Sequence, residues 1–331
     1  MIRVEHLTKR YSKAPKPAVD DINFDVMPGE LFAFLGPNGA GKTTTISILT
    51  TTLAKTSGTV TIAGRDLDRD QTGVRGEIGI IFQNASLDQH LSGEENIRLH
   101  VALYGIHGYR PLYRLMPAEY RTRIERLAAV VGLEDALSKP VSTYSGGMKR
   151  KLDIACGLLP NPKVLFLDEP TLGLDVQSRL RIWDYVRQLK ARGITIVMTT
   201  NYLDEADQLC DRLAIIDGGR IRAMGSPAEL KAGLGGDIVS LTVGASDTNR
   251  IDALAAALRT LPMVRAVTAK PAGLDIRVES SEKALPAVLE AANRTSCRLE
   301  LVDYHRPRLD DVFVAHTGHV IREEFPQEEQ D

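Results

Sequence analysis

Gly36-Pro37-Asn38-Gly39-Ala40-Gly41-Lys42-Thr43 fits the spacing G-x-x-x-x-G-K-[ST] with no mismatch. These residue types at this spacing bind phosphate: glycines let the backbone wrap an anion, and the lysine reaches the outer phosphates as a point charge. The threonine hydroxyl then sits on Mg²⁺. Such a loop works only where a strand delivers it to a helix N-terminus, whose free N–H groups and dipole attract negative charge. Leu31-Phe-Ala-Phe-Leu35 just before it is apolar, as a buried parallel strand requires, and Thr44 to Leu53 just after it reads as a helix. The expected ligand is a nucleoside triphosphate.

A second constellation is Lys163-Val-Leu-Phe-Leu-Asp-Glu-Pro170, an apolar strand that ends abruptly in two acids. Asp168 at the strand's C-terminal edge can hold Mg²⁺, directly or through water. Glu169 can orient or deprotonate a water that attacks the γ-phosphate. Ser145-Gly-Gly-Met-Lys149 leads into a helical pattern from Leu152 to Leu159, which makes a second helix N-terminus and a second candidate phosphate site. Tyr11 reads from its spacing as a half-buried surface tyrosine.

These groups need a scaffold. Ile2 to Val4, the alternating Ile22, Phe24 and Val26, Gly58 to Gly64 and Ile78 to Phe82 read as strands, the last ending at Gln83. From about residue 84 to 160 helical spacing takes over, with Ile124, Leu127 and Val131 on one face after Pro117. Tyr104 to Arg123 is expected to be partly an exposed loop. Gly173-Leu-Asp175 is a turn before a helix around Arg179 to Lys190. Thr195 to Met198 is a buried strand tipped by Thr199-Thr-Asn201, and Asp211 to Met224 is a hairpin across Asp217-Gly-Gly219. Gly225-Ser-Pro227 starts a short helix, and the glycine-dense Gly233-Leu-Gly-Gly236 marks a domain boundary. Beyond it, apolar periodicities alternate as β-α-β-β-α-β, the split order of a ferredoxin-like fold, followed by a closing helix over Arg308 to Ala315.

The chain has 331 residues, 43% hydrophobic and 25% charged, which favours two packed domains over a disordered or fibrous chain. A formal net charge of -2 provides no basic field for nucleic acid, so no nucleic-acid partner is expected. Cys156, Cys210 and Cys297 form no C-x-x-C pair, which fits a reducing cytosol without a disulfide framework. No apolar run approaches the roughly 20 residues that span a bilayer, and the N-terminus lacks a signal-peptide core, so any membrane role must come through a partner.

With these pieces in place, residues 1 to about 230 resemble the ATP-binding subunits of ABC transporters. Ser145-Gly-Gly-Met-Lys149 is a variant of that family's LSGGQ signature, and it lies shortly before Leu165-Phe-Leu-Asp-Glu-Pro170. Tyr144, Lys149-Arg-Lys151 and Pro307-Arg-Leu-Asp-Asp-Val-Phe313 look like the daunorubicin-resistance type of exporter ATPase. The resemblance implies an α/β fold: a P-loop NTPase domain of the ABC type, with a mixed sheet plus a helical subdomain over about 84–160, spanning 1–230. A linker at 231–236, a small C-terminal α+β ferredoxin-like domain at 237–316 and an acidic tail at 317–331 complete the expected chain.

For the site, the resemblance implies that ATP and Mg²⁺ are bound by Gly36 to Thr43 and Thr44, with Tyr11 stacking on adenine and Gln83 reaching the metal and the attacking water. Ser145, Gly146, Gly147 and Asp175 would act in trans, in a head-to-tail homodimer or heterodimer of ATPase subunits. Closure of that dimer would drive a separate integral membrane permease, contacted through the helical insertion after Gln83, from the cytoplasmic face of the cell membrane. One position departs from the family pattern. Asn201 stands where a histidine is usual; an amide can donate to a phosphate oxygen but cannot carry a proton at neutral pH. A hydrolysis-impaired regulatory subunit, or an ABC-type ATPase working without a permease, are the alternative readings.

Overall fold

The computed structural model describes residues 1–12, 14–83, 86–270 and 272–320. Contacts divide the chain into two units, residues 1–227 with His319 and Val320, and Ala228–Gly318.

The first unit begins with β1 (Ile2–Lys9) and β2 (Val19–Val26), then β3 (Leu31–Leu35), which is buried at every position. Helix α1 (Lys42–Leu49) starts at Lys42 rather than Thr44 and stops short of Leu53, so the lysine and threonines of the glycine loop are themselves the first helical turn. There follow β4 (Ser57–Ile62), β5 (Arg65–Asp66), α2 (Gln71–Glu77) and β6 (Ile78–Ile81). The insertion contains α3 (Gly93–Leu103), α4 (Ala118–Val131) and α5 (Gly146–Gly157). Residues 118–123, expected in part as loop, are helical: Pro117 is the N-cap, and Ile124, Ala128 and Val131 bury the helix's apolar stripe. The unit closes with β7 (Val164–Asp168), α6 (Val176–Ala191), β8 (Thr195–Thr200), α7 (Leu203–Leu209), β9 (Arg212–Asp217) and β10 (Arg220–Gly225).

The expected mixed sheet is present, and a second, antiparallel sheet accompanies it. One is antiparallel in the order β2-β1-β4-β5; the other runs β10-β9-β3-β8-β7-β6, parallel except for β10. Burial on both faces explains why β3 and β7 read as continuous apolar runs rather than alternating ones. One core joins the two sheets, with Phe24 of β2 edge-on to Phe34 of β3 at 5.0 Å between ring centroids and stacked on Phe32 at 5.6 Å. The functional consequence is topological: β3, β6, β7 and β8 all end at one edge of the parallel sheet, and the residues that follow them meet there.

In the second unit, α8 (Pro227–Leu234) occupies most of the expected linker. Gly235 and Gly236, at φ of 62° and 75°, follow the helix, so these glycines serve as a stop signal more than as a tether. β11 (Asp237–Val243), α9 (Ile251–Arg259), β12 (Val264–Lys270), β13 (Gly273–Val278), α10 (Ser281–Arg294) and β14 (Leu299–His305) give the order β12-β13-β11-β14, antiparallel throughout, which is the ferredoxin-like arrangement. α11 (Leu309–Thr317) extends past the expected helix end, and Gly318 caps it in the left-handed region. Residues 321–331 of the acidic tail lie outside the described residues.

Candidate nucleotide site

The glycine loop is fixed by tight packing as well as by sequence. A Cβ on Gly36 would stand 2.2 Å from the Ile216 carbonyl oxygen. One on Gly41, whose φ is +109°, would stand 2.4 Å from the Ala18 oxygen. The β9–β10 turn braces the loop from outside: the Gly219 N–H donates to the Ala40 oxygen at 3.0 Å, and the Gly219 oxygen accepts from the Asp20 N–H at 2.8 Å. The result is an open cleft of about 280 Å³ lined by Ala18, Pro37, Asn38, Gly39, Gly41, Lys42, Thr43, Thr44, Gln83 and Glu169. Gly36 and Ala40 are buried beneath the loop and do not line it.

The Lys42 side chain is folded back under the loop. Its ammonium donates to the Gly36 oxygen at 2.6 Å and the Pro37 oxygen at 3.1 Å, and lies 3.4 Å from Glu169 Oε1. Burial pushes its pKa down, while Glu169 and, more weakly, Asp168 oppose that shift. Glu169 has φ of 45°, the left-handed region that a side chain adopts at a cost, and its N–H is anchored on Thr199 Oγ1 at 3.0 Å. Thr199 also donates to Asp168 Oδ1, which lies 3.3 Å from Thr43 Oγ1. Thr43 and Gln83 thus offer hard oxygen atoms in the cleft lining, with the buried Asp168 carboxylate directly behind Thr43. Among the described residues no group of three His, Cys, Asp or Glu could hold a metal alone. That donor set fits Mg²⁺, which typically takes one or two carboxylates and completes its shell with water and substrate phosphate oxygens.

The signature residues stand apart from this cleft. Ser145 caps α5 by accepting the Met148 N–H at 3.2 Å. A Cβ on Gly147 would come 2.9 Å from Ser178 Oγ, so the glycine lets α5 and α6 approach closely. Ser145, Gly147, Met148, Lys151, Ser178 and Arg181 line a recess of about 40 Å³, and none of them lines the larger cleft. Gly146 is exposed at the start of the helix. Asp175 caps α6 by accepting the Ser178 N–H at 2.9 Å, and hydrogen bonds from Ser178 hold its carboxyl below the usual range.

Besides Gly36, Ala40, Asp175 and the signature residues, three expected site residues are absent from the cleft lining: Asp168, which is buried beside Thr43, Tyr11 and Asn201. Tyr11 is 44% exposed with Lys9 Nζ 5.3 Å from its ring centre. Asn201 is buried, and its Oδ1 has no hydrogen-bond partner among the described residues. Sequence reasoning missed Ala18, Thr199 as the clamp on Asp168 and Glu169, and Glu205. Buried Glu205 accepts from the Thr171 hydroxyl at 2.8 Å and Trp183 Nε1 at 2.9 Å, and burial raises its pKa. A buried acid shortly after Asn201 was a signal available in the sequence only as an amphipathic helix.

A family model described as ABC transporter matches residues 19–172, and one described as ATP-binding protein DrrA1-3-like, C-terminal domain, matches residues 225–317. The chain is 39% identical over 318 residues to a daunorubicin resistance ATP-binding protein of Streptomyces coeruleorubidus, covering 96% of each. The chain belongs to the ABC transporter ATP-binding subunits. A linearmycin resistance ATP-binding protein of Bacillus subtilis (strain 168) is 35% identical, over 98% of this chain and all of that one. An ATP-binding cassette solved as a dimer in a post-hydrolysis state, with ADP and Pi, superposes with a TM-score of 0.59 at 27% identity, covering 68% of this chain and 98% of that one. As an ABC ATP-binding subunit of the drug-resistance exporter type, the protein is an ATPase whose hydrolysis is coupled to transport. Among the described residues no helix is long and apolar enough to cross a membrane.

Proposed function

We propose that the cleft is one half of an ATP site and that a second ATPase subunit completes it. The observation that carries this reading is the separation of the two linings: the cleft that holds Lys42, Thr43 and Glu169 receives nothing from Ser145, Gly146 or Gly147. Those residues form an exposed, polar helix N-terminus suited to the phosphates of a neighbouring subunit's ATP. A related cassette solved as a dimer with ADP and Pi supports the pairing of two such subunits.

In this reading Lys42 exchanges its loop carbonyls and Glu169 for the outer phosphates, and Thr43, Asp168 and Gln83 hold Mg²⁺. When bound, that ion neutralises charge developing on the phosphates. Glu169, released from Lys42, orients the attacking water, and Tyr11 moves against the adenine. Asp175 lies at the subunit boundary. Closure drives export through a separate membrane permease that meets the helical insertion, which places the protein on the cytoplasmic face of the membrane. Purification in mild detergent tests this: a co-purifying membrane subunit that stimulates ATPase activity supports it, and recovery with ribosomes or DNA instead would sink it.

A second reading rests on Asn201. It is buried, its Oδ1 has no partner among the described residues and it has no titratable proton, so turnover falls below what a histidine there would give. Steady-state assays of Asn201→His should show a higher kcat with little change in KM; an unchanged kcat would dismiss the idea.

A further inference from the structure

Arg150 is buried on the signature helix α5, yet it faces away from the recess at that helix's N-terminus and into the interior. Its guanidinium donates to three backbone carbonyls from functional segments. Nε reaches the Pro170 oxygen at 2.9 Å, Nη2 the Asp168 oxygen at 3.0 Å, and Nη1 the Phe82 oxygen at 2.5 Å. Phe82 precedes Gln83. One turn along α5, Asp153 lies 3.4 Å from Arg150 Nη1 and accepts from Ser86 through its N–H at 3.4 Å and its hydroxyl at 3.2 Å. One ion pair on α5 therefore stakes the chain on both sides of Gln83, at Phe82 and at Ser86, and ties it to the end of β7 that carries Asp168 and Glu169.

Burying this pair works against the charge of both groups, pushing Asp153 up and Arg150 down, with each partner opposing the other's shift. A fold that only needed packing could use apolar residues of like volume without that cost. A planar fork with five donors can span three carbonyls in fixed geometry, which a lysine's single ammonium cannot.

We propose that Arg150 is a positioning residue that sets the spacing between Gln83 and Asp168, and hence the metal geometry of the ATP site, from the helix that begins with the signature. Movement of α5 at a subunit boundary then reaches the metal site through one side chain. The inference rests on the metal role given above to Thr43, Asp168 and Gln83.

The test compares wild type, Arg150→Lys and Arg150→Gln by equilibrium dialysis with ATP, first in EDTA and then across a Mg²⁺ titration, with thermal melts alongside. Outer partners of metal ligands typically change metal affinity by about 10–100-fold. We expect Arg150→Gln to bind ATP in EDTA within about twofold of wild type, while the Mg²⁺ concentration giving half of the affinity gain rises by about 10-fold. Arg150→Lys should fall between the two, and it carries the test if the glutamine variant does not fold. A Mg²⁺ midpoint equal to wild type in a folded variant overturns the positioning role alone. A loss of ATP affinity in EDTA parallel to the loss in Mg²⁺ also overturns it, since that marks general damage to the fold. A wild type whose ATP affinity does not respond to Mg²⁺ overturns both this inference and the metal assignment beneath it.

Discussion

Glu169→Gln should tighten ATP binding in the absence of metal. Lys42 and Glu169 are 3.4 Å apart, and each side chain is less than a tenth exposed. ATP has to take Lys42 away from this partner. A hydrogen-bonded contact involving charge contributes about 1.5–3 kcal/mol. Lys42 keeps its two carbonyl acceptors, and a glutamine oxygen still accepts, so the lower end of that range applies. About 1.4 kcal/mol corresponds to a tenfold change in affinity. The substitution also removes repulsion between a carboxylate and the γ-phosphate, a benefit that ADP does not share. Equilibrium dialysis in EDTA should therefore give an ATP dissociation constant lower by about tenfold and a smaller gain for ADP. Equal or weaker ATP binding by a folded Glu169→Gln would refute the account of the pair as a lock that nucleotide must open.

Other consequences follow from the same geometry. Gly41→Ala places a Cβ 2.4 Å from the Ala18 oxygen at a φ of +109°; strain of this kind costs about 1–3 kcal/mol, and ATP affinity measured by dialysis should drop by about tenfold or more. Glu95 in the α3 capping box is held below the usual carboxylate range by the Ser92 backbone N–H and then its hydroxyl. A depressed folded pKa means that the stabilisation is full above the unfolded value of about 4.3 and fades as pH falls through the folded one. Urea midpoints of wild type and Glu95→Gln should accordingly differ most near neutrality and converge in acid; a gap that persists unchanged at low pH would contradict the linkage.

What could be read from the sequence is what acts locally. Gly36 to Thr43 and the Asp168-Glu169 pair announce themselves because the chemistry depends on neighbours along the chain, and β3 and β7 do so because burial on both faces leaves an unbroken apolar run. Helix ends were harder. The helix after the glycine loop reads as starting at Thr44, yet the loop feeds straight into α1 at Lys42. Gly233 to Gly236 reads as a domain boundary because glycine density cannot distinguish a linker from a helix stop; α8 runs through Leu234 and only the last two glycines turn left-handed. Arg150 was invisible as a tie because its partners, Phe82, Asp168 and Pro170, come together only when β6, β7 and α5 pack. Its sequence neighbours mark a family type and say nothing of those carbonyls.

The central claim is that this chain carries half of each of two sites. Light scattering of purified Glu169→Gln with saturating ATP and Mg²⁺ tests it most directly. The account predicts a mass double that of the nucleotide-free protein, with two ATP retained per dimer, and a monomer under the same conditions once Ser145→Arg is added. A Glu169→Gln protein that holds ATP and Mg²⁺ as a monomer would contradict it.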